Sequence, residues 1–170
     1  MPAFNFYLLF FTFSGVSDFA KWQIPHYIIP SSFAYTIIYC NTGLYFMKRI
    51  MLSGKIHTAT ITRCIVDYEG SLEIDPELLA EANILPYEKI LVANRNNGSR
   101  LETYAIPGVP GSKDFCLNGP AAKLGSVGDI VTIMAFSLCD EDEARELKPH
   151  VIVLGKDNEI IMRRRGRDTI

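Results

Sequence analysis

No cysteine pair, no surplus of basic residues and no long apolar run occur in these 170 residues, and each absence removes a class of function. The four cysteines, Cys40, Cys64, Cys116 and Cys139, are widely separated, with no C-x-x-C and no histidine at zinc-ligand spacing, so no metal site is expected. Buried, reduced thiols follow, which fits a cytoplasmic location. Lys plus Arg number 17 against 19 Asp plus Glu, a formal net charge of -2, leaving no basic field for nucleic acid or an anionic membrane. The apolar run over residues 6–13 is far shorter than the roughly 20 residues that span a bilayer. The first basic residue, Lys21, comes after that run, the reverse of a secretory signal. Walker, Rossmann, H-E-x-x-H and G-x-S-x-G motifs are all missing.

What is present divides sharply. Residues 1–46 hold 14 of the 19 aromatics and only two charges, Asp18 and Lys21, while the other 34 charges follow. That first segment has Pro25, Pro30 and Ser31-Ser32, no sustained period and no polar face. It reads as an extension foreign to the fold, with Met47 as the natural first residue of one domain over 47–170. An interfacial membrane anchor is the functional alternative, but such helices carry Lys and Arg on a polar face, and this segment does not.

After Met47 the pattern is short strands and turns. Residues 58–66 are β-branched and partly alternating, which predicts a strand, broken at Asp67-Tyr68-Glu69-Gly70. Asp75 followed by Pro76 and closed by Asn83 predicts a short helix: a capping carboxylate, a proline at the first helical position, and a residue suited to a left-handed end. Residues 89–94 and 100–106 flank Asn96-Asn97-Gly98, a hairpin signal. Strands are expected at 114–117 and 129–136, a solvated helical turn at 140–147, a last strand at 150–155, and a frayed end at 163–167. The class is mainly β, and closure into a barrel would leave no exposed edge.

Lys55 and His57, two residues apart just before the first expected strand, point to one face. Ser71 follows Gly70, and Arg100, Thr103 and Tyr104 lie on the second arm of the hairpin. Singly, each has an ordinary reading: surface amine, satisfied imidazole, turn serine, strand-edge charge, core aromatic.

Their order carries more. Residues 47–57 (MKRIMLSGKIH), then Asp67-Tyr68-Glu69-Gly70-Ser71, then Arg100-x-x-Thr103-Tyr104-Ala105-Ile106, then Leu117-Asn118-Gly119 resemble the aspartate 1-decarboxylase family, from Met47 to about Leu154 and without residues 1–46. The resemblance implies a double-psi β-barrel of six strands with short helices, assembled as a homotetramer with active sites between subunits. It implies a proenzyme that cuts itself at the Gly70-Ser71 bond into 47–70 and 71–170, Ser71 becoming a covalent pyruvoyl group. L-Aspartate would form a Schiff base with that ketone and lose carbon dioxide to give β-alanine, a step of pantothenate biosynthesis. By the same resemblance Tyr104 is the proton donor. Lys55, Arg100, Thr103, Gly119, Pro120 and Ala121 bind substrate, and His57 and Asn118 support the site. Position 120 is a departure, being proline where the family commonly has alanine, so an amide is missing from that loop. Cleavage could be spontaneous or need a maturation factor. The competing readings are a non-catalytic β-barrel binding module that keeps the motif, and a membrane-associated protein held by residues 1–46.

Overall fold

Residues 47–169 are described by a computed structural model; the 1–46 extension, with Cys40, lies outside the described residues. The chain forms strands β1 (Arg49–Thr60), β2 (Arg63–Ile65) and β3 (Ser71–Ile74), helix α1 (Pro76–Glu81), and strands β4 (Lys89–Asn94), β5 (Arg100–Pro107) and β6 (Phe115–Asn118). A 3-10 turn (Gly119–Lys123) leads to β7 (Ile130–Cys139), helix α2 (Glu141–Glu146), β8 (His150–Leu154), β9 (Ile160–Arg165) and β10 (Asp168–Thr169). Among the described residues no helix is long and apolar enough to cross a membrane.

Strand period decides what is buried. In β7 Val131, Ile133 and Ala135 point inward and alternate with Thr132 and Met134, and β4 does the same with Ile90 and Val92. β6 is buried at all four positions, as expected of a strand covered on both faces. These side chains, with Ile56, Ile61, Leu72, Ile74, Phe115 and Leu117, make one core. Burying each Val, Leu, Ile or Phe among them contributes about 1.5–3 kcal/mol.

The hydrogen-bonded order runs β1-β7-β4-β5-β3-β6-β2. Only Ile61 and Thr62 separate β1 from β2, so the circuit begins and ends on one stretch of chain and closes into a six-membered barrel. Ile61 N donates to Asp129 O and Thr62 N to Phe115 O, stitching that stretch to both neighbours. The expected strand over 58–66 is therefore two strands. Thr58 sits at φ +59, the β1–β7 register shifts between Ile56 and Ala59, and the chain changes partner from β7 to β6. Lys55 and His57 accordingly lie within β1, not before it.

The helix forms as its caps dictate: Asp75 Oδ1 accepts from Glu77 N at 2.9 Å, and Asn83 is left-handed at φ +53. The β4–β5 hairpin pairs Ala93 with Arg100 around a turn carrying Gly98 at φ +75. Asp140 caps α2 through a capping box with Glu143. The expectation of a frayed basic end is corrected: Arg163, Arg164 and Arg165 belong to β9, antiparallel to β8, and β10 follows. Left-handed residues Asp157 and Asn158 turn the chain back, and Arg163 anchors it by a two-pronged ion pair with Glu81 at 2.7 and 3.0 Å.

Candidate active site

Ser71 is the first residue of β3 and Asn118 the last of β6, and the antiparallel register sets them opposite each other. Both are 1% exposed, and Asn118 Nδ2 donates to Ser71 Oγ at 3.1 Å. The Cys116 thiol, two residues back on the same face of β6, donates to Asn118 Oδ1 at 3.3 Å. Burial pushes its acidity down, raising the pKa, so the sulfur keeps the proton it donates. Three buried groups thus form one chain of donors ending on the serine oxygen.

The turn after β6 presses on the peptide before Ser71. Gly119 has φ +61, and a Cβ there would stand 2.6 Å from Tyr68 O and 2.9 Å from Gly70 N, so only glycine fits. Pro120 Cδ lies 3.5 Å from where a Cβ on Gly70 would be. Ala121 is buried beside them. The loop around Pro120 is a 3-10 turn, Gly119–Lys123, with Pro120 as its second residue, where the missing N–H costs no helical hydrogen bond.

On the other side of β3, the parallel register pairs Leu72 with Ala105, so Ser71 and Tyr104 are the preceding residues of neighbouring strands. Tyr104 is 36% exposed and its hydroxyl has no partner among the described residues, unlike a core aromatic. Thr103 is half-buried opposite Ile90. Arg100, at the far end of β5, is exposed and donates to Gly98 O at 3.2 Å.

Lys55 and His57 form a separate group. They flank buried Ile56 and share the outward face of β1. His57 Nδ1 is hydrogen-bonded to Thr132 Oγ1 at 3.1 Å. Burial, then the charges of Lys55, Arg164 and Arg95, hold its pKa below the usual imidazole value. No hydrogen bond or ion pair among the described residues joins this group to Ser71.

The structure therefore brings Gly70, Ser71, Asn118, Gly119 and Pro120 together, with Ala121 next along the turn and Thr103 and Tyr104 on the neighbouring strand, and shows no bond from Lys55, His57 or Arg100 to that group among the described residues. In the sequence Cys116 is one of several expected buried, reduced thiols and Arg164 part of the expected frayed end, so neither stands out as a site residue. The two-residue spacing of Cys116 and Asn118 on a strand was the available signal for the first. The apolar run Ile160-Ile161-Met162 ahead of the arginines was the signal for the second.

The sequence pattern of the family described as aspartate decarboxylase matches residues 47–161. The aspartate 1-decarboxylase of Moorella thermoacetica is 49% identical over 120 residues, covering 71% of this chain and 94% of that protein. That of Listeria monocytogenes is 47% identical over 116 residues, 68% and 91% of the two chains. That of Salinibacter ruber is 48% identical over 114 residues, 67% and 78%.

Proposed function

The chain belongs to the aspartate decarboxylase family, and from that premise we propose that it makes its own catalytic group by cutting the Gly70-Ser71 bond. The reaction is the decarboxylation of L-aspartate to β-alanine and carbon dioxide. The observation that carries the reading of the site is the buried Ser71 hydroxyl, held by Asn118 beside a glycine peptide against which Gly119 packs too closely for any side chain.

The cut balances without any outside reagent but water. Ser71 Oγ attacks the Gly70 carbonyl carbon, the carbon–nitrogen bond breaks, and an ester replaces the amide. Loss of the Ser71 α-proton expels Gly70 as a carboxylate and leaves a double bond at 71. Water then displaces the nitrogen as ammonia, leaving a pyruvoyl ketone. Asn118 Nδ2 steadies negative charge as it builds on the serine oxygen, and the fixed turn keeps the two reacting atoms close.

The pyruvoyl group, once formed, supplies an electron sink that no ordinary side chain offers. The chain's own residues do the rest. Tyr104, with its free hydroxyl on the neighbouring strand, delivers the proton to the substrate's α-carbon. Arg100 and Lys55 bind the carboxylates, the first as a planar fork and the second as a point charge. Thr103, Gly119 and Ala121 line the pocket, Pro120 shapes it without an amide to offer, and His57 sets the field around Lys55. The catalytic unit is the 47–170 domain, a double-psi barrel in the cytoplasm, and it works as a homotetramer. Lys55 and His57 of one copy then complete the Ser71 group of another, which accounts for their separation within a single chain.

Intact mass under denaturing conditions tests the cut. Two fragments divided between residues 70 and 71 are expected, the second lighter by one ammonia than a serine-ended chain. Ser71→Ala should give one uncut, inactive chain, and a cut Ser71→Ala protein ends the acyl-shift account. An uncut parent chain that a cell extract converts to two fragments assigns the step to a maturation factor. One that nothing converts leaves the non-catalytic barrel.

A further inference from the structure

Lys55 pairs with Val151 across parallel β1 and β8, and Val151 pairs with Arg164 across antiparallel β8 and β9. Lys55, Val151 and Arg164 therefore stand in one row, and residues directly opposed on adjacent strands project to the same face. His57, two residues further along β1, projects to that face too. Lys55, Arg95 and Arg164 take part in no ion pair among the described residues. Arg164 Nε is buried without a hydrogen-bond partner, a donor whose lost hydration nothing repays. The charges that depress the His57 pKa are all positive, with no carboxylate among them. Cations gathered on a half-buried face repel one another until an anion arrives.

We infer that Arg164 is a further substrate-binding residue, closing with Lys55 and His57 a cationic subsite for a carboxylate of the dicarboxylate substrate. The inference rests on the proposed reaction for the identity of the ligand. Its geometry is independent of it, and Arg164 lies beyond the 47–161 stretch that the family matches. The guanidinium presents a fork that meets both oxygens of a carboxylate, which an ammonium cannot do alone.

Succinate, a dicarboxylate without the reacting amine, is the probe, titrated calorimetrically into the full-length parent, Arg164→Gln and Arg164→Lys. Arg164→Gln should weaken succinate, and raise the KM for L-aspartate, about tenfold, the effect of losing one charge-assisted contact. Its kcat and the fraction of chain cut should match the parent. Arg164→Lys should recover part of the affinity. Equal succinate affinity in the parent and Arg164→Gln overturns the inference, as does a fall in kcat with KM unchanged. If Arg164→Gln does not melt cooperatively, Arg164→Lys decides, with a loss of about threefold expected for a charge without its fork and parental affinity counting against the idea. A parent that binds succinate but is neither cut nor makes β-alanine removes the functional reading and leaves the anion site standing.

Discussion

At the scale of single residues, the orientation of Asn118 governs what Ser71 can do. An amide offers a carbonyl oxygen or an NH2, and the Cys116 thiol, kept protonated by burial, selects the oxygen for itself. That leaves Nδ2 facing Ser71 Oγ. Cys116→Ala should slow cleavage by about tenfold, the effect of one buried hydrogen bond, and Cys116→Ser should restore most of the rate because a hydroxyl donates in the same place. A time course of intact mass reads this, and equal rates in Cys116→Ala and the parent would remove Cys116 from its positioning role. His57 gives a second prediction of known sign. Its folded-state pKa lies below 6.5, so the unfolded chain takes up the proton first, and stability falls as pH drops from 6.5 through the folded value. Arg164→Gln removes one of the depressing charges, so the imidazole pKa should move upward in an NMR titration. A pKa that stays put would mean that Arg164 does not face the ring.

At the scale of elements, the turn from β6 into the 3-10 helix is the least forgiving. Gly119→Ala adds a Cβ 2.6 Å from Tyr68 O at a left-handed residue. The strain alone costs about 1–2 kcal/mol, and relief must come from moving the 68–70 segment. The variant should lose at least about 4 °C in Tm and fail to cut at Gly70, read by thermal melting and intact mass. A normally cut Gly119→Ala would show that the reacting peptide does not depend on this turn. The sequence made some elements legible because their signals are local: Asp75-Pro76 and Asn83 bound a helix, and Asn97-Gly98 turns a hairpin. It misplaced others whose cause is distant. The split of 58–66 follows from a change of neighbours, from β7 to β6, and β9 exists because β8 is there to pair with it. The candidate site divides in the same way. Gly70, Ser71, Tyr104 and Asn118 are named by family resemblance, whereas Cys116 gains its place from a two-residue step along β6 that register then sets against Ser71, and Arg164 from cross-strand register alone.

At the scale of the whole molecule, the core found among the described residues runs from Ile56 to Leu154, and the circuit of strands closes within residues 49–139. A chain beginning at Met47 should melt within about 2 °C of the full chain and cut itself equally, since the circuit and the Ser71 group are intact in it. Loss of the cooperative transition would give residues 1–46 a structural role. The outer face of β1 and β7 poses the other question. Ile50 and Leu138 are paired directly and are 76% and 65% exposed, with Phe136 close by and Lys89 and Glu102 at the margin. Apolar side chains gathered under a charged rim suit a surface buried between copies, the place the proposed tetramer would give it. Leu138→Lys would bury an unpaired ammonium there, so the assembly should dissociate in sedimentation. Cleavage and turnover should then separate. Ser71, Asn118 and Gly119 belong to one chain, so the dissociated protein should still be cut, whereas in the proposed tetramer Lys55 and His57 are supplied by a neighbour, so aspartate turnover should collapse. A dissociated Leu138→Lys with parental kcat/KM would place the whole site within a single chain, and an undisturbed assembly would move the interface to another face.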